Sequence, residues 1–260
     1  MRDLVNDLVA EQAVLDAIVA GLSTERWETP SPAEGWLLRD CVAHLAEFDE
    51  SAARVIETRE FAVRAGARRD DALSAGQAEM RGWSTAQLLA YWRDAREKLA
   101  AALLPLDPKE RLPWAGPAMS ARSFATARLM EAWSHGLDIH DAAGVAPVDT
   151  DRLKHVAHLG YVTREFAYRT RGLEPPSTPL YLELTAPSGA AWTWGRADAR
   201  DRVSGPAGDF CRVVTQRLHW RDADLKTEGE AAAEFLRVAQ AFAGPPGRGR
   251  PPKKRIGDAT

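Results

Sequence analysis

The sequence predicts a mainly α-helical protein in which an N-terminal four-helix bundle is followed by a small α+β domain. Two observations carry this. Up to about residue 172, apolar residues recur every three or four positions, the period of helices that bury one face. After the break "LEPPSTP", the period becomes two in "LYLELTAPSGAAWTWG", the signature of strands, before helical spacing returns. A chain of 260 residues is also comfortable for two domains, since one core commonly serves ~100 to 200 residues.

The first helix is expected from residue 4 to 22, with Leu4, Val5, Leu8, Val9, Leu15, Ile18, Val19 and Leu22 at mostly three- and four-residue spacing and Gly21 as a stop signal. The Pro/Gly-rich loop "TPSPAEGW" leads to a second helix from about Leu37 to Phe61, carrying Val42, Leu45, Phe48, Ala52 and Val55. The third follows a capping box made by Ser84 and Gln87, with Leu88, Leu89, Trp92, Leu99 and Leu103 on one face. The fourth starts near Ser120 and ends at Gly144, a natural left-handed C-cap. A fifth helix is predicted from Thr150 to Gly172.

The strand pair turns at Pro-Ser-Gly, "DRVSG" offers a third strand, and helices are expected over "AGDFCRVVTQRL" and "GEAAAEFLRVAQAFA". The expected division is therefore a bundle over 1–173, an α+β domain over 174–243 and a basic, disordered tail over 244–260.

Composition excludes several functions. The chain is 45% hydrophobic and 27% charged with net charge −3, so no polyanion partner is indicated, and the basic tail alone is a weak reason to expect nucleic acid. No uncharged apolar run is long enough to span a bilayer, and "MRDLVNDLVAEQ" carries acids in its first turns; a cytoplasmic protein is expected. Cys41 and Cys211 stand far apart, so any metal would need His and carboxylate ligands.

Such ligands occur in "MEAWSHGLDIHDAAG". Glu131 and His135 are four apart and share a helix face, which fits either two metal ligands or an ordinary ion pair on the rim. His44, beside the apolar Leu45, fits either a third ligand or a hydrogen-bonded core histidine. A His/His/Glu set leaves a coordination position open, as catalytic zinc requires. Asp138 lies one turn past His135 and can orient a ligand imidazole. His140 and Asp141 fall on another face, and His155 and His158 have no matching carboxylate. Cys41, three residues before His44, fits either a residue facing the same cavity or a small core hydrophobe, and the tryptophans are read as core and loop anchors, with Trp133 beside the ligand pair as a candidate pocket wall.

With these residues in view, "TPSPAEGWLLRDCVAHLAEFD" resembles the P…GW…D…HL opening of the DinB-like proteins in the mycothiol-dependent maleylpyruvate isomerase group, and "EAWSHGLDIHDAAG" resembles their E-x-x-x-H-x-x-D motif. The resemblance implies an N-terminal metal-binding DinB-like four-helix bundle with a C-terminal α+β domain, covering about residues 1 to 243. It implies a divalent metal, zinc above all, on His44, Glu131 and His135, with Asp138 close by and Arg217 as a partner for a substrate carboxylate. No bundle arginine matches clearly; Arg81 and Arg93 are the candidates, and 65–83 is peculiar to this chain. The implied activity is cis/trans isomerisation of a small molecule by a metal-activated low-molecular-weight thiol such as mycothiol. The rival readings are S-transfer of the thiol onto an electrophile, a metal-assisted hydrolase, and a metal-binding protein without turnover.

Overall fold

The computed structural model describes residues 1–61, 73–114 and 118–253, in two compact units, Met1–Pro147 and Val148–Thr260. In the first, the long helices α1 (Arg2–Ala20), α3 (Leu38–Thr58), α5 (Thr85–Leu103) and α6 (Ala121–Ala143) form the bundle; α2 (Thr24–Trp27) and α4 (Ala75–Met80) are short additions. Helices α1 and α3 stand diagonally, each packed on both α5 and α6. Leu8, Leu15, Leu38, Leu45, Leu88, Trp92, Leu99 and Phe124 fill the core with almost no exposure.

Each long helix begins and ends where local chemistry directs. Ser84 accepts from the Gln87 amide at 3.2 Å while Gln87 Oε1 accepts from the Ser84 amide at 2.9 Å, the expected capping box. Ser120 caps α6 by accepting from Ser123 N at 3.1 Å. At the other end Gly144 adopts φ 65°, and Arg26 Nη2 donates to the carbonyls of Ala142 and Ala143. Inside α6, Gly136 lets α1 approach: a Cβ there would stand 2.9 Å from Leu15 Cδ2. A two-stranded ribbon, β1 (Arg111–Leu112) with β2 (Met119–Ser120), precedes α6 and was not expected.

The second unit holds α7 (Leu153–Val162), α8 (Arg164–Thr170) and a four-stranded sheet of order β4-β3-β5-β6, with β3 (Leu180–Thr185), β4 (Ala191–Trp194), β5 (Asp201–Pro206) and β6 (Lys226–Glu228). The predicted hairpin is present, pairing Leu182 with Trp194 and Leu184 with Trp192. The third strand runs parallel to β3, and β6, too short and exposed for a pattern, pairs antiparallel to it. Helix α9 (Ala207–Val214) and α10 (Glu230–Val238) pack on β5.

Two expectations change. The single fifth helix is two, because Thr163 Oγ1 bonds back to the Leu159 carbonyl at 2.8 Å and its backbone leaves the helical region. The division between units falls at 147/148 rather than 173/174, because α7 packs on α9. There Gly160 accommodates Phe210 and Val214, and Cys211 Sγ lies 3.6 Å from the Leu153 carbonyl. The first part of the tail, 244–253, has no helix or strand, yet the Lys253 amide donates to Asp222 at 2.8 Å. Residues 254–260, and 65–72 of the chain-specific segment, lie outside the described residues. Among those described, no helix is long and apolar enough to cross a membrane.

Candidate metal centre

Two helices and one loop build the site. Helix α3 carries His44, and α6 carries Glu131, His135 and Asp138 in successive turns. Asp40, the third residue of α3, accepts from the Leu37 amide at 2.7 Å and fixes where the helix starts. The loop before it is a tight turn: Gly35 adopts φ 76°, and Ser31 N donates to the Trp36 carbonyl at 2.8 Å. This delivers the Trp36 ring onto His135, stacked at 5.6 Å and 11°.

His44 Nε2 and His135 Nε2 each lie 3.5 Å from Glu131 Oε2, and the donor atoms of all three residues lie within 4.8 Å of one another. A separation of 3.5 Å is long for a hydrogen bond. It matches the edge of a tetrahedron around an ion whose ligands stand about 2.1 Å away, which is about 3.4 Å. His44 Nε2 is shielded from water and has no hydrogen-bond partner, a costly state for a buried polar atom and one that a bound cation relieves. The residues present therefore fit a divalent metal. On its other edge, His135 Nδ1 faces Asp138 Oδ2 at 3.5 Å, with Asp138 only 1% exposed, the arrangement that turns Nε2 toward the cluster.

The electrostatics favour the metal-ready protonation state. Burial and the neighbouring His135 push His44 down from 6.5 to about 4, so its imidazole is neutral at physiological pH. Burial works to raise Glu131, but the two imidazoles facing it win and hold its carboxyl well below the usual range. A stability consequence follows for the metal-free protein. The unfolded chain protonates His44 at about 6.5 and the folded one only at about 4, so stability falls as pH drops through that window. The loss approaches about 3 kcal/mol. Glu131, protonated more easily when unfolded, adds to the loss below its ordinary 4.5. Urea midpoints of chelator-treated protein between pH 7 and pH 4 measure this; a pH slope unchanged in His44→Gln contradicts it.

The structure brings His44, Glu131, His135 and Asp138 together. Arg217 lies in the second unit, just past α9, with Nη1 donating to the Thr215 carbonyl at 2.9 Å. The candidate bundle arginines are both engaged by carboxylates: Arg81 forks onto Asp40 at 3.0 and 2.6 Å, and Arg93 onto Asp16 at 2.8 and 2.6 Å. His140 is a capping residue, its Nδ1 3.0 Å from the Val145 carbonyl, and His158 Nδ1 faces Trp194 Nε1 at 3.2 Å in the second unit. Cys41 is fully buried, its thiol pushed up by desolvation.

Sequence reasoning missed two supports. Trp36 packs on the ligand rings, aided by Phe48 at 4.5 Å from His44. Below them lies a buried network: Arg128 Nε and Nη2 donate to Asp49 Oδ1 at 3.1 and 2.8 Å, and Gln12 Nε2 donates to Asp49 Oδ2 at 2.8 Å. The spacing of Arg128, one turn before Glu131, was the available signal.

Fold and cluster together define a four-helix-bundle protein with an inward His/His/Glu set, joined to an α+β unit. The chain belongs to the family of the mycothiol maleylpyruvate isomerase N-terminal domain, whose family model matches residues 8–140. Residues 176–226 match the family model for wyosine base formation. Two uncharacterized proteins of Mycobacterium tuberculosis, from strains CDC 1551 / Oshkosh and H37Rv, are each 45% identical over 250 residues, covering 95% of this chain and 97% of theirs. Two crystal structures of the mycothiol-dependent maleylpyruvate isomerase share the fold at 15% identity. One has a TM-score of 0.57, covering 87% of this chain and 92% of that one. The other, a histidine-to-alanine mutant, has 0.55, covering 83% and 89%.

Proposed function

We propose that the chain is a metal- and thiol-dependent isomerase, with a divalent ion, zinc by the chemistry of the donor set, held by His44, Glu131 and His135. Mycothiol or a related low-molecular-weight thiol is the cosubstrate. The observation that carries the reading is the three-donor cluster around the unpartnered Nε2 of His44. A bound divalent ion supplies a positive centre that favours the thiolate form of an incoming thiol.

The chain's own groups prepare that centre. Neutral His44 presents a lone pair, Glu131 contributes the single negative charge of the set, and Asp138 holds the His135 ring through Nδ1. Trp36 and Phe48 shield the imidazoles on their apolar side. Cys41, the cysteine next to the site, is fully buried with a raised thiol pKa, so the nucleophile belongs to the cosubstrate. Its thiolate sulfur adds to one carbon of a cis double bond conjugated to carbonyls, and the electron pair moves onto the carbonyl-stabilised side. Rotation about the new single bond and expulsion of the same thiolate restore the double bond as trans, returning the thiol. Following the family resemblance, we assign Arg217, whose planar fork suits a carboxylate, to carboxylate recognition.

The test incubates zinc-loaded protein with maleylpyruvate, with and without mycothiol, and follows the trans product by chromatography. Trans product formed only with thiol is the expected result. Adduct accumulating without trans product would replace isomerisation by S-transfer. Turnover indifferent to thiol would remove both and leave a metal-assisted hydrolase to test; stable metal binding without any turnover would leave a binding protein.

A further inference from the structure

Helices α3 and α6 run antiparallel and meet in three successive levels. Asp49 faces Arg128, His44 faces Glu131 and His135, and Cys41 groups with His135 and Asp138. The third level is chemically unlike the others. We propose that Cys41 Sγ, Asp138 and Nδ1 of His135 form a second, inner cation position that takes a thiophilic ion.

The three donor atoms of this level lie within 4.8 Å of one another, and Cys41 and Asp138 are 0% and 1% exposed. A thiolate, a carboxylate and an imidazole together neutralise a divalent cation, as burial of an ion requires. The outer set has one anionic ligand, Glu131, and keeps the ion positively charged. Sulfur in the inner set shifts preference toward soft ions such as cadmium, whereas the outer set contains only nitrogen and oxygen. On binding, the Cys41 S–H bond breaks, the sulfur donates the freed pair to the ion, and the proton leaves to solvent.

His135 is common to both levels, with Nε2 toward Glu131 and Nδ1 toward Asp138. A neutral imidazole carries its proton on one nitrogen, so an ion on Nδ1 places that proton on Nε2 and withdraws it from the outer set. An inner ion thus competes with the outer one; this consequence, unlike the inner position itself, rests on the outer site proposed above.

The test titrates metal-free full-length protein with cadmium and reads the ultraviolet sulfur-to-cadmium charge-transfer absorption. The expected result is a band that saturates near one equivalent, consistent with a single sulfur-containing position. It should persist in His44→Ala and in Cys211→Ser, and disappear in Cys41→Ser, which keeps the side chain's size. No band in the unmodified chain, or a band that survives in Cys41→Ser, would overturn the proposal. Loss of the band in His44→Ala as well would make Cys41 a fourth ligand of the outer site and equally remove the inner position. Metal content without cadmium reports on the outer site separately, so failure of either position is distinguishable from failure of the other.

Discussion

Replacing His44 by alanine is expected to strip zinc from the purified protein and abolish thiol-dependent turnover. The side chain is one of three donors, and its Nε2 has no hydrogen bond in the protein to fall back on. Structural zinc sites of four ligands are worth about 10 to 16 kcal/mol, so one ligand is worth about 2.5 to 4 kcal/mol, a loss of affinity of about 70- to 900-fold. His135→Ala should do the same. Asp138→Asn, which keeps the shape and removes only the charge behind the imidazole, is expected to weaken metal binding by about 10- to 100-fold. Elemental analysis and competition with a chromogenic chelator measure both effects. Full metal content in both histidine variants would sink the site assignment. Equal losses in the histidine variants and in Asp138→Asn would contradict the division between ligand and support.

The second large effect lies below the site. Asp49→Ala is expected to destabilise the bundle by about 3 to 5 kcal/mol, because it leaves the Arg128 guanidinium buried without its counter-charge. The pair is 2% and 1% exposed, and Gln12 loses its acceptor in the same substitution. Burial raises the Asp49 carboxyl despite Arg128 beside it, which marks desolvation as the dominant cost at this position. For a unit of this size the shift in melting temperature is about 10 °C. The pair Asp49→Leu with Arg128→Met should recover much of the loss, since replacing both charges by apolar groups of similar volume removes the desolvation cost. Melting followed by circular dichroism checks both; a single-variant loss under about 1 kcal/mol would mean water reaches the pair.

Most of the helical architecture was legible because its causes are local. The 3.6-residue stripe, the Ser84/Gln87 box and Gly144 after α6 each act within a turn or two of chain, so their bounds emerged close to those observed. Where the prediction slipped, long-range contact decided. The break at Thr163 and the grouping of α7 with the α+β unit depend on which neighbour buries the helix face, and periodicity says only that a face is buried. Strand β6 has three exposed residues and exists because β5 offers it an edge.

The candidate site divides the same way. Spacing on one helix was enough to place Glu131, His135 and Asp138 on adjacent turns, because helical geometry is a property of the local chain. That His44 reaches them, that Trp36 covers the ring, and that Asp49 meets Arg128 came only from the tertiary structure. Such contacts join residues 79 to 99 positions apart and are set by how whole helices pack. The sequence by itself therefore determined the helices and the ligand types. The tertiary structure decided which side chains converge, because convergence depends on the register of α3 against α6, and no local pattern encodes that register.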